Sequence, residues 1–71
     1  MDKEVARSLI SLAADMDKAI VSMFSEIEKI TDTEARHKLE KACGDLMGHV
    51  ARDIIFPLVD IYPDLDPDKD K

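Results

Sequence analysis

Apolar residues recur at alternating three- and four-residue intervals along the first half of the chain. The series is Ala6, Leu9, Ala13, Met16, Ile20, Met23, Ile27 and Ile30. This spacing places them on one side of an α-helix and is typical of helices that pack along a seam. Since no glycine or proline interrupts the stretch, the pattern predicts a first helix over about residues 3–30.

The apolar side of this predicted helix is wider than one seam. Val5, Leu12 and Ala19 flank one edge of the seam, and Ile10 and Phe24 flank the other. A wide apolar face is typical of a helix that contacts two neighbours, whereas a strict two-stranded coiled coil has a narrow stripe. We therefore expect the first helix to pack against more than one helix.

A second helix is predicted over about residues 34–56. Its main apolar face comprises Ala35, Leu39, Ala42, Cys43, Leu46, Val50 and Ile54. Thr31 and Glu34 have capping-box spacing, and Asp32 or Thr33 offers an alternative cap. This favours a short turn and an antiparallel hairpin, with one continuous helix as the alternative.

Pro57 predicts that the second helix ends or kinks, because proline lacks the N–H that an α-helix requires. The apolar residues of 57–62 are expected to form one more turn over the open end of the hairpin. The helical domain is then residues 1–63. Prolines and alternating acids predict an acidic, disordered tail over residues 64–71.

The short chain predicts self-association. A 71-residue domain has a marginal core and usually needs disulfides, a metal or another subunit. Cys43 is the only cysteine, and no Cys/His set has zinc spacing. The predicted fold is therefore all-α, a hairpin that pairs into a homodimeric four-helix bundle. The predicted interface comprises Leu9, Met16, Ile20, Met23, Ile27, Leu46, Val50 and Ile54.

Charge argues against several classes of partner. The net charge of -6 divides evenly between residues 1–59 and 60–71, and there is no basic stripe to neutralise phosphates. The longest uninterrupted apolar run, residues 54–59, contains a proline and is too short to cross a membrane. We expect neither nucleic acid nor membrane as a partner. A charged start without an apolar segment predicts a cytoplasmic location.

Glu34 and His37 have the Glu-x-x-His spacing of carboxylate-bridged di-metal bundles, with Glu26 or Glu28 as further ligands. On a helix, however, His37 lies on the side opposite Leu46 and points away from a bundle interior. We therefore expect a solvated histidine next to a capping glutamate, and neither a metal nor a cofactor.

Asp45, His49 and Asp53 recur at every fourth residue, a spacing that orients an imidazole between carboxylates. Catalysis would also need a nucleophile, an oxyanion donor and a pocket, which the sequence does not indicate. We interpret the set as a polar stripe at the rim of the bundle, with Arg52 pairing nearby. Cys43, on the apolar face, is interpreted as a core residue.

Two glycines stand on the back of the second helix. Gly44, Gly48, Ala51 and Ile55 lie roughly opposite Leu46. A helix-interior glycine costs about 0.8–1 kcal/mol relative to alanine, so this pair is either tolerated on an exposed side or used for close backbone approach. The second interpretation makes these four residues a partner surface.

The sequence thus predicts a non-enzymatic, dimeric helical protein that binds an unidentified protein partner. One alternative is an acidic inhibitor or mimic that binds a basic protein site, which the negative charge permits. Another is a metal-binding bundle built on Glu34 and His37.

Overall fold

The computed structural model describes residues 1–66 and shows an antiparallel helical hairpin. Helix α1 spans Lys3–Ile27 and helix α2 spans Thr33–His49. A π-helical segment, Val50–Ile55, joins α2 directly to α3, Phe56–Ile61, and a 3-10 turn follows at Pro63–Leu65. The predicted all-α hairpin is confirmed. Within residues 1–66, none of the helices combines the length with the apolar character that a membrane span requires.

Aspartates begin both long helices. Asp2 accepts a hydrogen bond from the Glu4 N–H, and Asp32 accepts from Glu34 at 3.0 Å and Ala35 at 3.4 Å. Such caps satisfy amide groups that have no partner within the helix. The cap of α2 is thus Asp32 rather than Thr31, and the chain turns between the helices instead of continuing as one helix.

Helix α1 ends three residues before the predicted end. The Lys29 N–H bonds to the Glu26 carbonyl and the Ile30 N–H to the Ile27 carbonyl, so the backbone tightens to three-residue steps. Arg36 reaches back from α2 and donates to the Ile30 carbonyl at 3.3 Å. These bonds satisfy the backbone of the turn.

Six of the eight apolar residues that are buried within residues 1–66 form two small clusters along the hairpin. At the turn end, Ile20, Ile27 and Cys43 are buried, and Phe24, Ile30 and Met47 pack against them. At the open end, Ala6, Ile10 and Leu58 are buried, and Val59, Tyr62 and Leu65 pack against them. Cys43 is a free thiol in the first cluster, in agreement with its interpretation as a core residue.

The apolar seam of α1 consists of two adjoining rows, one of them buried and the other exposed. Its buried members recur every seven residues and are Ala6, Ala13, Ile20 and Ile27. The alternate members, Leu9, Met16 and Met23, also recur every seven residues but are 39–45% exposed. Four of the eight predicted seam residues therefore pack inside the hairpin and three face outward, while the eighth, Ile30, packs against the cluster at the turn.

The π segment shifts the apolar repeat of the second arm by one residue. Cys43 and Val50 are buried seven residues apart, but the next buried residue, Leu58, follows after eight. Each residue turns an α-helix by about 100°, so a uniform α-helix would carry Leu58 away from the core. The wider π turn absorbs the extra residue, as shown by the bond from the Phe56 N–H to the Ala51 carbonyl.

Pro57 stands at the beginning of α3, immediately after the π segment. The turn predicted over residues 57–62 is helical and follows without a loop, so the second arm continues past Phe56 and does not end there. A proline is tolerated in the first turn of a helix, where its fixed backbone angle fits. The backbone thus departs from α-helical bonding in Val50–Ile55, just before Pro57, which has no N–H to donate.

Contacts between the two ends of the chain close the open end of the hairpin. The Tyr62 hydroxyl donates to the Met1 carbonyl, and the Lys3 ammonium pairs with Asp64. Leu65 packs against the cluster around Leu58. Asp64 and Leu65, which the sequence assigns to the disordered tail, therefore contact the hairpin. Residues 67–71 of the predicted tail lie outside the described residues.

Replacing Leu58 tests the open-end cluster. Leu58→Ala should lower the free energy of unfolding by about 2–4 kcal/mol, because it leaves a cavity beside Ala6 and Ile10. Denaturant unfolding at fixed protein concentration measures the loss. Phe56→Ala is the control: Phe56 is 59% exposed, so the loss should stay below about 1 kcal/mol. Equal losses would contradict the assignment of Leu58 to the core.

Candidate interaction surfaces

A stripe of exposed apolar side chains runs along α1. It consists of Val5, Leu9, Leu12, Met16 and Met23, which are 39–59% exposed. Their spacing follows the alternating four- and three-residue steps of a helix seam. The stripe lies beside the buried side of α1, so the helix carries two adjoining apolar surfaces.

A matching stripe runs along the second arm. Its members are Leu39, Leu46, Ile54 and Ile61, which are 37–56% exposed. They are separated by seven, eight and seven residues, so the π segment keeps this exposed repeat aligned as it does the buried one. The longer step spans Val50–Ile55.

The two stripes border one groove of about 520 Å³ near the turn. Helix α1 contributes Met23 and Ile27 to its walls, and α2 contributes Leu39, Ala42 and Leu46. The stripes therefore lie on the same side of the hairpin. We call these nine exposed residues, five on α1 and four on the second arm, the apolar face.

The structure divides the predicted dimer interface between two environments. Leu9, Met16, Met23, Leu46 and Ile54 belong to the apolar face. Ile20, Ile27 and Val50 are instead buried inside the hairpin, 3–7% exposed. These three form the contact between α1 and the second arm within one chain, and their assignment to an intermolecular interface stays a prediction. Periodicity alone does not distinguish the two neighbours of a helix.

A second groove, of about 540 Å³, lies between α1 and the segment after α2. We call it the back groove. Its lining residues are Ile10, Ala14, Asp17, Ala51, Ile55, Phe56, Val59 and Asp66. These α1 residues are on the side of the helix opposite the exposed stripe, so the two grooves open on opposite sides of the hairpin.

Asp17 is the unusual residue of the back groove. Its Oδ1 is buried and has no hydrogen-bond donor among residues 1–66. Sequence reasoning missed it, although a signal was present: Asp17 stands seven residues from both Ile10 and Phe24, which were placed along one edge of the apolar seam. A carboxylate in an apolar repeat indicates either a structural partner or a ligand.

The predicted partner surface of four small and apolar residues lies partly in this groove. Ala51 and Ile55 are half-buried and line it. Gly44 and Gly48 are exposed, and a Cβ at either position would meet nothing within 4 Å. The glycines therefore make no close backbone contact inside the hairpin, and the space above them is open.

His49, Arg52 and Asp53 form an exposed polar cluster. The Arg52 guanidinium donates to Asp53 at 3.0 and 3.3 Å and lies 2.8 Å from His49 Nδ1, which is 3.1 Å from Asp53. Hydrogen bonds from Arg52 and then His49 hold the pKa of the Asp53 carboxyl below its ordinary value. The bond and charge of Asp53 raise the pKa of Arg52.

Asp45 does not join this cluster, because it pairs with Lys41 at 3.0 Å. The predicted stripe of three residues is therefore reduced to one carboxylate–imidazole pair, with Arg52 next to it as expected. The side chains of His49 and Asp53 are 62% and 55% exposed. An open surface of this kind stabilises ion pairs weakly and provides no enclosed site for a substrate.

Two of the candidate metal ligands pair with lysines three or four residues away in the chain. Glu34 lies 3.7 Å from Lys38, and Glu26 lies 3.1 Å from Lys29. Among residues 1–66, groups of three or more potential ligands are not found. His37 is exposed on α2, as expected for a histidine that points away from the hairpin.

Comparison of the chain with protein-family models, curated proteins and solved structures gave no match. The apolar face and the back groove are therefore the features that bear on function.

Replacing Gly44 or Gly48 with alanine tests whether this side of α2 faces open space. Gly44→Ala and Gly48→Ala should each raise the free energy of unfolding by about 0.8–1 kcal/mol, because alanine has the higher helix propensity and meets no obstacle. Thermal and denaturant unfolding measure the gain. A loss of stability from either substitution would show that this side of α2 packs closely against another chain.

The ion pair between Arg52 and Asp53 predicts a low pKa for the Asp53 carboxyl. NMR titration should give Asp53 a pKa below the ordinary value, and Arg52→Gln should raise it because the main donor is removed. A depressed carboxyl pKa stabilises the fold above the unfolded pKa and loses that effect as pH falls through the folded pKa. Arg36→Gln, whose guanidinium pairs with Glu40, is the control. An unchanged Asp53 pKa in Arg52→Gln would contradict the assignment.

Proposed function

We propose that the protein is a non-enzymatic homodimer, a four-helix bundle that acts as a protein-interaction module. The observation that carries the proposal is the apolar face. Nine large apolar side chains, each 37–59% exposed, lie on one side of the hairpin in two parallel stripes. An apolar surface of this extent is typical of an interaction site.

The heptad-like spacing of the stripes favours a second copy of the chain as the occupant. A helix surface with this repeat accepts the side chains of another helix between its own. A two-fold axis brings the same face of each chain together, so one self-complementary surface suffices. Each hairpin supplies two helices, which gives the four-helix arrangement.

The shape of the hairpin also supports a dimer. It is only 16 Å thick along its shortest axis, so a second copy on the apolar face would cover side chains that a single layer of two helices leaves exposed.

The polar groups support a binding role rather than a catalytic one. The imidazole–carboxylate pair of His49 and Asp53 is open to solvent, and Asp53 also forms an ion pair with Arg52. The groove near the turn and the back groove are both lined mainly by apolar side chains. Such surfaces bind other proteins through burial of apolar area.

A carboxylate on the apolar face should abolish the dimer. In Leu12→Glu, two charges per dimer would lose their water, so the dissociation constant should rise by at least about 100-fold. Val21→Glu is the matched control, since Val21 lies on the other side of α1 and is 54% exposed, compared with 59% for Leu12. Sedimentation equilibrium over a concentration series measures both variants.

The expected masses are two chains for the native protein and Val21→Glu, and one chain for Leu12→Glu. Circular dichroism should show a helical Leu12→Glu, because Leu12 is exposed in the isolated hairpin. A native protein that sediments as one chain at all concentrations and still unfolds cooperatively would overturn the proposal.

A further inference from the structure

We infer that the back groove binds an amphipathic helix of a partner protein, and that a lysine or arginine on that helix pairs with Asp17. This inference names the chemistry of the partner in the proposed interaction function. It does not require the dimer, because the groove and the apolar face are on opposite sides of the hairpin.

The first support is the state of Asp17. Its Oδ1 is buried in a groove whose other walls are mainly Ile10, Ile55 and Val59, and it has no donor among residues 1–66. A buried carboxylate oxygen without a donor is costly, and a charged donor relieves that cost most effectively. An incoming ammonium or guanidinium group would provide it.

The second support is charge complementarity. Among the residues of 1–66 that line the back groove, Asp17 brings a carboxylate to apolar walls and none is basic. A cation is therefore favoured there over an anion or a neutral polar group. The remaining lining is apolar, so the occupant must present aliphatic side chains next to the cation.

The third support is the shape of the surface. Ala14 and Ala51 are small residues of the groove, and the exposed Gly44 and Gly48 leave open space farther along α2. Small side chains allow the backbone of another helix to approach closely. The π segment supplies both Ala51 and Ile55, in accordance with the frequent location of π turns at functional sites. A helix with a narrow apolar stripe fits this surface.

A synthetic helical peptide serves as the probe. It has about 15 residues of leucine, alanine and glutamine, enough to form a helix on binding, with one lysine in the leucine stripe. Its twin has glutamine in place of the lysine. Fluorescence anisotropy measures affinity, and the methyl NMR signals of Ile10 and Ile55 report the site. The wild-type chain should bind the lysine peptide about tenfold more tightly than the twin.

Two variants separate Asp17 from general charge effects. In Asp17→Asn the preference for the lysine peptide should fall to about one, while the dimer mass is retained. Asp15→Asn removes the same charge from an exposed neighbour that lies near Lys18 and outside the groove. It should keep the tenfold preference.

Three results would overturn the inference. The first is equal affinity for both peptides in the wild-type chain, including failure to bind either one. The second is an NMR response at Met23 and Leu46 in place of Ile10 and Ile55. The third is binding only by a chain that ends at Asp66, which would make the natural occupant the protein's own C-terminal segment with Lys69 and Lys71.

Discussion

The thickness of a single layer of two helices constrains everything else in this molecule. Each helix in such a layer buries only the side that faces its neighbour, and the hairpin measures 46 × 22 × 16 Å. Within residues 1–66 the core accordingly contains eight buried apolar residues, and none of the large side chains there is completely enclosed. Helix α1 nevertheless carries apolar residues around a much wider arc than one neighbour covers. The excess cannot be hidden by any rearrangement of one hairpin, so it must face water or another chain.

The π segment shows how strictly the chain maintains its two surfaces. One inserted residue would rotate everything after Val50 by about 100°, moving Leu58 out of the core and Ile61 off the apolar face. Because Val50–Ile55 adopts the wider π turn, the buried and the exposed repeats both lengthen from seven to eight residues at this point, and the exposed repeat then returns to seven. The second arm therefore stays aligned with α1 to the open end, where the contacts of Tyr62 and Lys3 fasten it.

Local sequence signals predicted the helices and the turn, because periodicity and caps act within a few residues. They could not assign individual seam residues to one of two neighbours: Leu9 and Ile20 belong to the same series, but only Ile20 is buried. The π segment was missed because Leu46, Val50 and Ile54 follow plain four-residue steps, and the eight-residue step to Leu58 becomes meaningful only once the partner positions on α1 are known. Asp17 was passed over for a related reason, since its burial depends on residues of the second arm, more than thirty positions away.

The two grooves open on opposite sides of the hairpin, and this arrangement sets what the proposed dimer can bind. In the proposed dimer the apolar faces meet at the two-fold axis, so both back grooves point outward on opposite sides of the bundle. Each dimer then presents two equivalent sites for a basic, amphipathic helix. A partner with two such helices, or a partner that is itself a dimer, would bind the second site at a high effective concentration and far more tightly than a single helix. Dimerisation would then increase the affinity of the back groove without adding any contact inside it, which gives the exposed apolar face a role in partner binding as well as in stability.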